Sequence, residues 1–404
     1  MCKKTFYNTE MSIKGAGKPK LKKPDLVTCV SPDEEVFRYK FVKGANIIFR
    51  LRGREVDADF EGVLAPFVKF FLKPGLTPHF KYYKYVKVLA ERDGARVFTL
   101  YYPPFPSKPF VKMLKTVART MITRRFVPRA VTIAVTSGCQ CKCLHCSAAK
   151  YAENAAALGK KELSTDELKR LIDDCIELGA VNITFTGGDP LLLSYVYYLI
   201  SYVDKEEAIT QLFTNGLLLT RDNVRKLKEA GLYSLEVSLD SPHPEEHDSF
   251  RGIDGCFEAA VEGIKYALEE GLLVGISTYA TRERIKDGSL DLLIELGRKL
   301  GVHEVSVFDP VPTGRLLGIE DVLLTENERA DLIKIQRSYN QMEGYTRVST
   351  QSMQCSPVAF YALGCFSGTN QAYVTAFGDV DPCDFTPLTF GNIREEPFEK
   401  IWWK

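Results

Sequence analysis

Between residues 131 and 308 the chain repeats a short apolar run followed by an amphipathic run, and this repetition constrains the fold more than any other feature. The strand-like runs fall at 131–136, 181–186, 210–214, 234–239, 273–278 and 304–308. The runs with helical periodicity fall at 165–178, 191–203, 221–230, 256–270 and 290–300. Strands that alternate with helices form a parallel sheet, with ligands at the carboxyl ends of its strands. Because six units are too few to close an eight-stranded barrel, the sequence predicts an α/β fold with an open, partial (β/α)6 TIM-like barrel.

A cysteine-rich loop follows the first predicted strand. Cys139, Cys143 and Cys146 have the spacing C-x3-C-x2-C. Three thiolates on one loop can hold three irons of a [4Fe–4S] cluster, which leaves the fourth iron open to a small chelating molecule. With Cys141 the loop also has four thiols, which is enough for a structural zinc site. Zinc ribbons, however, usually place their ligands in two separated C-x2-C knuckles, so the spacing favours the cluster.

Two further motifs lie at the ends of later strands, and together with the cysteine loop they carry a family resemblance. Gly-Gly-Asp-Pro (187–190) follows the second predicted strand, and Ser-Leu-Asp (238–240) ends the fourth. This order resembles the radical S-adenosylmethionine (SAM) superfamily. The resemblance implies that the open iron binds the amino and carboxylate groups of SAM, which is cleaved reductively to a 5′-deoxyadenosyl radical. That radical abstracts hydrogen from the substrate.

The resemblance also implies a set of SAM-binding residues. Those that match family positions, or stand where polar site residues occur in the family, are Gly187, Gly188, Asp189, Pro190, Ser238, Asp240, Arg251, Asn215 and His145. Arg251 is expected to pair with the SAM carboxylate, a task that suits a bidentate guanidinium. His145 is expected to pack near the adenine, and Cys141 to be a bystander. Helix caps and surface ion pairs are the alternative roles for the polar members of this set.

The C-terminal region contains a second cysteine pattern. Cys365, Gly378 and Cys383 have the spacing C-x12-G-x4-C, which resembles the SPASM/Twitch extension of the same superfamily. No cysteine follows Cys383, and Cys355 is the nearest other thiol. The resemblance therefore implies one auxiliary [4Fe–4S] cluster on Cys355, Cys365 and Cys383. Its fourth ligand is either a residue such as Asp384 or absent, and the alternatives are a zinc site or no metal.

The first third of the chain differs from the rest in charge. Residues 1–130 contain 27 Lys and Arg against 11 Asp and Glu, whereas the remainder contains 26 against 41. This asymmetry indicates either an interaction surface or two regions that complement each other across an interface. A basic amphipathic helix is predicted at 108–125, either packed on the core or lying on a membrane surface or anionic partner.

The pattern predicts four regions. They are a flexible basic tail at 1–33, an N-terminal accessory α+β domain at 34–130, the radical SAM core at 131–315, and a small C-terminal auxiliary-cluster domain at 316–404. Within the accessory domain we expect a hairpin at 36–42 and 46–52 and a helix at 60–72. Strands at 86–89 and 96–102 would complete its sheet.

The composition of the chain limits the classes of protein to which it can belong. The chain is 45% hydrophobic and 26% charged, has no apolar run long enough to span a membrane and shows no secretory signal, which predicts a cytoplasmic protein with its 11 cysteines reduced. We expect a radical SAM enzyme acting on a peptide or protein, with ferredoxin or flavodoxin as electron donor and no nucleic acid as partner. The alternatives are a tetrapyrrole, a lipid or a small metabolite as substrate. From another class, the alternative is a non-enzymatic zinc protein that binds nucleic acid.

Overall fold

The computed structural model describes residues 34–53, 55–70, 72–73, 86–92, 94–352, 365–386 and 388–404. Its largest feature is a ten-stranded sheet. The strands are β6 (Ala130–Thr136), β7 (Asn182–Gly187), β8 (Ile209–Thr214), β9 (Ser234–Ser238), β10 (Leu273–Tyr279), β11 (Glu304–Phe308), β12 (Arg347–Thr350), β13 (Gln371–Val374), β14 (Asp379–Asp381) and β15 (Gly391–Asn392). Their order across the sheet is β12-β11-β10-β9-β8-β7-β6-β13-β14-β15. The six predicted strands are β6 to β11, all parallel, so the predicted partial barrel is confirmed.

The sheet of the barrel has one more parallel strand at each edge than the sequence predicted. β12 adds a seventh parallel strand beside β11, and β13 pairs in parallel with β6. β13 belongs to the C-terminal region, so the C-terminal module continues the sheet of the barrel.

Helices alternate with these strands, and several of them pack on the outer face of the sheet. They are α2 (Ala149–Ala157), α3 (Thr165–Leu178), α4 (Val196–Tyr202), α5 (Arg221–Glu229), α6 (Pro244–Arg251), α7 (Cys256–Glu269), α8 (Arg282–Asp287), α9 (Ser289–Leu300), α10 (Glu326–Gln341) and α11 (Phe398–Trp402), with α1 (Lys108–Thr123) before the barrel. α3 shows why they form where they do. Ser164 and Glu167 make a reciprocal capping box, and Leu168, Leu171 and Ile172 bury one face of the helix in the main core. The predicted helix at 191–203 is instead a 3₁₀ turn, Pro190–Leu192, followed by α4.

The inner wall of the barrel is polar. In β9, Leu235 and Val237 face the helices, whereas Glu236 and Ser238 alternate with them and face inward. Thr184 and Gln211 of the neighbouring strands hydrogen-bond to each other at 3.3 Å. The apolar groups that stabilise the barrel therefore lie outside the sheet, and its interior is left for polar chemistry.

The N-terminal domain is built on a three-stranded antiparallel sheet of β1 (Glu35–Val42), β2 (Ala45–Arg52) and β3 (Glu55–Glu61). The predicted hairpin is confirmed. The predicted helix at 60–72 was wrong at its start. A third strand, β3, extends to Glu61, and the helix begins after it. A separate short hairpin, β4 (Ala90–Arg92) and β5 (Ala95–Val97), lies where two further strands of the sheet were expected.

The segment that follows β5 closes the N-terminal end of the barrel. The backbone N–H of Leu100 donates to the buried Glu304 carboxylate at 2.9 Å, and the Ser234 hydroxyl donates to the Leu100 carbonyl at 3.1 Å. Asn182 Nδ2 donates to the Tyr101 carbonyl at 3.0 Å. Residues 98–102, which we call the plug, thus tie the N-terminal domain to three barrel strands.

The basic face of α1 contacts the barrel. Lys112 Nζ donates to the Ile176 carbonyl at 2.9 Å and pairs with Glu207, and Lys108 pairs with Glu206 at 2.7 Å. Phe110, Val111 and Leu114 fill the core of the N-terminal domain. These contacts favour the core-packing interpretation of this helix over a membrane surface, and at least part of the charge asymmetry is neutralised across this interface. Along the described part of the chain, none of the helices has the length and apolarity needed to cross a membrane.

Candidate functional site

The cysteine loop lies at the carboxyl end of β6 and is held from two sides. The N–H groups of Lys142 and Leu144 donate to the carbonyls of Arg251 and Phe250, at 2.8 and 3.1 Å, as a short strand pair would. On the other side, Arg315 Nη1 donates to the Cys143 carbonyl at 2.8 Å. The loop is therefore fixed by α6 and by the segment after β11.

Gly187 and Gly188 permit the close approach of the β7 turn to this loop. The N–H of Gly188 donates to the Thr136 carbonyl and the N–H of Asp189 to the Gly138 carbonyl, both at 2.8 Å. A Cβ on Gly187 would lie 2.2 Å from the Thr136 oxygen, and one on Gly188 would lie 1.9 Å from the Gly138 oxygen. Gly187 also has φ +145°, which side chains rarely adopt. The two glycines are therefore required by backbone packing.

Asp189 braces two strand ends. Its fully buried carboxylate accepts hydrogen bonds from the N–H of Leu191 at 2.9 Å, the Thr214 hydroxyl at 2.8 Å and the N–H of Asn215 at 3.0 Å. Burial is the largest influence on the pKa of this carboxyl and raises it. Pro190 opens the 3₁₀ turn that follows. Asp189 thus positions Asn215, and contact of Asp189 with SAM stays a prediction.

Two donors are directed at the cysteine sulfurs. Asn215 Nδ2 lies 3.8 Å from Cys139 Sγ, and Arg251 Nη1 lies 3.5 Å from Cys143 Sγ. The pKa of Cys139 is lowered to about 7 and that of Cys143 to about 6, in both cases mainly by a hydrogen bond from Cys141. Thiolates are the form that binds iron, so this donor set fits the ligands of a [4Fe–4S] cluster.

A buried ion pair lies beside the loop. Arg251 Nη2 is 2.5 Å from Asp240 Oδ2, and the two side chains are 8% and 4% exposed. Burial alone would raise the pKa of Asp240, but Arg251 and the other cations of the site bring it below its usual value. Arg251 is therefore occupied by Asp240 and Cys143, and its predicted contact with the SAM carboxylate stays a prediction.

Next to this pair is a cavity of about 90 Å³. It is lined by Asp240, Ser241, Glu246, Phe250, Thr281 and Arg284. Arg284 donates through Nη1 to the Thr278 hydroxyl at 3.1 Å, while its Nε and Nη2 are buried without a partner among the described residues. A guanidinium with free buried donors is suited to an anionic group. Sequence reasoning missed Arg284, because no motif marks it.

His145 is placed beside this cavity by aromatic contacts. Its ring stacks on Phe250, with centroids 4.7 Å apart, and contacts Tyr279 at 4.4 Å. Burial lowers the pKa of His145 to about 4, so the ring is neutral at pH 7. Ser238 lies deeper in the barrel, where its hydroxyl is 3.3 Å from that of Ser277. The structure thus brings His145, Asp240 and Arg251 together and places Ser238 on the inner wall.

Gly314 and Arg315 are site residues whose role the sequence did not reveal. A Cβ on Gly314 would lie 2.1 Å from the Cys146 carbonyl oxygen, and the N–H of Arg315 donates to that oxygen at 3.1 Å. Both therefore support the third cysteine of the loop.

The C-terminal cysteines lie at the end of a hairpin. β13 and β14 pair antiparallel, and the N–H of Gly368 donates to the Pro382 carbonyl at 3.3 Å, which brings the chain near Cys365 back to Cys383. Cys365 is exposed and Cys383 half-buried. Cys355 lies outside the described residues. Burial raises the pKa of Asp384 to about 6, and its carboxylate contributes to the raised pKa of Tyr279 and Tyr373.

Within the described residues, no three His, Cys, Asp or Glu side chains converge as the ligands of a single metal ion.

Asp381 in this hairpin should make stability depend on pH. Burial raises the pKa of Asp381 to about 6, from 3.8, although Thr389 donates to it at 2.8 Å. A carboxyl that binds its proton more tightly when folded loses stabilisation as pH rises, here between about pH 4 and 6 and by up to about 3 kcal/mol. Asp381→Asn should therefore melt higher than the wild type at pH 7.5, with a smaller gain at pH 5. The exposed Asp321→Asn is the control, and an equal gain at both pH values would contradict the assignment.

Comparison with known proteins decides the family. The family model of the radical SAM superfamily matches residues 133–282, and that of the SPASM iron–sulfur cluster-binding domain matches residues 365–404. An AdoMet-dependent heme synthase of Methanosarcina barkeri is 32% identical over 70% of this chain and 84% of its own length. The chain belongs to the radical SAM superfamily. It is an enzyme of the SPASM type, so it has a SAM-binding [4Fe–4S] cluster and an auxiliary iron–sulfur cluster.

Two further relatives extend the comparison. A PqqA peptide cyclase of Rhizobium meliloti is 25% identical over 72% of this chain and 79% of its own length. In fold, the chain is similar to Streptococcus suis SuiB bound to its precursor peptide SuiA, with a TM-score of 0.59 and 15% identity. That likeness covers 93% of this chain and 88% of SuiB. Membership in this enzyme family also sets aside the non-enzymatic zinc protein as an interpretation.

Proposed function

We propose that this radical SAM enzyme modifies a peptide or protein, which it holds through its N-terminal domain. The observation that supports this proposal is the share of the chain that the structural similarity to SuiB covers. The match to SuiB covers 93% of the 404 residues, so about 28 residues lie outside it. The N-terminal domain, residues 34–130, is longer than that. The likeness therefore includes most of the N-terminal domain, whereas the heme synthase and the peptide cyclase match 70% and 72% of the chain.

The site residues have separate tasks in this proposal. Cys139, Cys143 and Cys146 hold the cluster, which with SAM supplies the radical that takes a hydrogen atom from the substrate. Asn215 and Arg251 donate to the cluster thiolates. Arg284 lies at the cavity, where its Nε and Nη2 have no partner among the described residues, and it binds the carboxylate of SAM. His145 flanks the adenine.

The substrate enters at the carboxyl ends of the strands. The plug closes the opposite end of the barrel, where Leu100 and Tyr101 are hydrogen-bonded to three strands. At the open end, Phe385 of the C-terminal module contacts Phe308 of β11, with ring centroids 6.3 Å apart. The reacting group of the substrate therefore lies between the barrel mouth and this module.

The N-terminal sheet has an edge that suits an extended peptide. Among the described residues, β1 pairs only with β2, so its outer edge has free backbone groups. Lys40 points away from the core of this domain and gives the edge positive charge, and Arg38 lies on the same face, where it pairs with Glu61. Addition of a strand to such an edge is a common mode of peptide recognition. An acidic segment is the partner whose charge fits.

Selection from a random peptide library displayed on messenger RNA, with the anaerobic holoenzyme as bait, tests this proposal. Wild type should enrich acidic peptides with alternating apolar residues, and Arg38→Glu/Lys40→Glu should bind them about tenfold more weakly. Lys299→Glu/Lys334→Glu, on exposed helix faces of the barrel, changes the charge equally and should bind like wild type. Enrichment that both double variants retain, or no enrichment, would refute peptide docking at β1.

A tetrapyrrole is the second candidate substrate, and the 32% identity to the heme synthase favours it. An iron porphyrin with carboxylate side chains would then increase the yield of 5′-deoxyadenosine from SAM and dithionite, and mass spectrometry would show a modified porphyrin. A porphyrin that leaves the yield unchanged would remove this candidate.

A further inference from the structure

Three phenylalanine rings form a row across the mouth of the barrel. The ring centroid of Phe213 in β8 lies 6.5 Å from that of Phe308 in β11, which lies 6.3 Å from that of Phe385 in the C-terminal module. All three residues are half-buried. The row is therefore partly open to the space at the carboxyl ends of the strands.

The first two rings lie on the inner face of the sheet. Because β9 and β10 stand between β8 and β11, the outer two strands are about 14 Å apart along the sheet. Side chains on strands so far apart meet only on the concave face of a curved sheet. Leu212 and Val307, the adjacent residues in each strand, are buried on the opposite face in the core shared with the helices. Phe213 and Phe308 thus line the interior of the barrel.

These rings are an exception on a polar wall. One layer deeper, Ser277 and Ser306 pair in register, and the Ser277 hydroxyl is 3.3 Å from that of Ser238. Within the described residues, neither Phe213 nor Phe308 packs into the core that the barrel shares with its helices. Apolar rings that are left partly open in a concave site suit an apolar group of a ligand.

The row extends from one cluster-binding region to the other. Phe213 lies two positions before Asn215, whose Nδ2 is 3.8 Å from Cys139 Sγ. At the other end of the row, Phe385 lies two positions after Cys383, a predicted ligand of the auxiliary cluster. A group that rests on the rings is therefore held between the two regions.

We propose that Phe213, Phe308 and Phe385 bind an aromatic side chain of the substrate. This role rests on the proposed function, because a peptide supplies the side chain. An aromatic group gains offset and edge contacts with rings that are tilted against each other, here by 59° and 50°. A polar side chain would lose its water there without gaining hydrogen bonds. Phe308, at the centre of the row, thus determines which residues of the peptide are accepted.

A second selection, again with the anaerobic holoenzyme and with SAM added, tests this role. The acidic segment that binds β1 is kept constant, and the residues on both sides of it are random, so that no spacing has to be assumed. Wild type should enrich Trp, Tyr and Phe about tenfold at the spacing that reaches the rings. Phe308→Ala should lose this enrichment and still bind the constant segment. Phe308→Leu, which keeps an apolar side chain without a ring, should lose most of it.

Phe126→Ala is the matched control. Phe126 is 50% exposed and lies beside α11, where its carbonyl accepts a hydrogen bond from Trp402 Nε1 at 2.9 Å. This variant should enrich aromatic residues as wild type does. Bound segments without aromatic enrichment, or with equal enrichment of Leu and Ile, would overturn the aromatic role and leave peptide docking intact. Iron content shows that each variant is folded, and if Phe308→Ala is not, Phe308→Leu and Phe385→Ala decide.

A probe without the acidic segment separates this role from docking at β1. If the segment does not bind, the proposed docking has failed, and N-acetyl-tryptophanamide then tests the rings alone. In saturation-transfer nuclear magnetic resonance its indole protons should receive saturation from wild type and several-fold less from Phe308→Ala. Equal transfer would overturn the role. An iron porphyrin whose binding needs Phe308, when that of the indole does not, would overturn the assignment to a side chain.

Discussion

Gly188→Ala should remove the SAM cluster while leaving the auxiliary cluster in place. The new methyl group would lie 1.9 Å from the Gly138 carbonyl oxygen and 2.8 Å from that of Ser137, both backbone atoms of the cysteine loop. Since backbone cannot move aside as a flexible side chain does, the loop must shift and its three thiols with it. Iron should fall from about eight to about four per chain, and SAM cleavage should be lost. Iron and sulfide assays with a 5′-deoxyadenosine assay check both.

Gly138→Ala is the control for this change because it adds the same methyl group to the other side of the same contact. There the nearest atom is Thr136 Oγ1 at 3.4 Å, an ordinary van der Waals distance. This variant should keep its iron. If Gly188→Ala keeps the full iron content, the turn does not support the loop as the structure indicates.

Asp240→Asn should destabilise the protein by about 3–5 kcal/mol and abolish SAM cleavage. The substitution keeps the shape of the side chain but leaves the buried Arg251 guanidinium without its carboxylate partner. Removal of one member of a buried ion pair is costly because the remaining charge stays desolvated. The orientation of Arg251 toward Cys143 would be lost as well. Thermal melting of the anaerobic holoenzyme and a deoxyadenosine assay measure the two effects.

An exposed ion pair on α5 provides the control. Asp222 pairs with Arg225 and Lys226, and its side chain is 52% exposed. Asp222→Asn should leave both the melting temperature and SAM cleavage close to the wild-type values. The double variant Asp240→Leu/Arg251→Met removes both buried charges and should regain stability without regaining cleavage. Equal melting of Asp240→Asn and Asp222→Asn would contradict the assigned role of the buried pair.

The order of elements in the barrel was predictable because its signals are local. Each predicted strand is an apolar run, and polar residues such as Asn215 and Asp240 directly follow such runs. The third strand of the N-terminal sheet also had a local signal. Val56, Ala58 and Phe60 alternate with acidic residues, a period of two that outweighs the short apolar run after it. β12 was harder to predict, because Arg347–Thr350 is short and three of its four residues are polar.

The contacts that hold the site were less predictable, because they join residues distant in the chain. Arg315 supports Cys143 across 172 positions. Arg284 follows β10 without a motif, and its importance lies in two buried donor atoms that have no partner in the part of the chain that the structure describes. The glycines of the β7 turn were recognised from their motif, but the backbone that they approach lies about fifty positions earlier in the chain. Their missing side chains make room for the backbone of the cysteine loop.

The plug sets the distance between the N-terminal domain and the cysteine loop. It fixes the N-terminal domain at the closed end of the barrel, whereas the cysteine loop lies at the open end. Strands of five to seven residues make the barrel roughly 20 Å deep. A peptide docked on β1 must span this depth, which takes at least about six extended residues. The number of residues between the docked segment and a given side chain would therefore decide whether that side chain is modified.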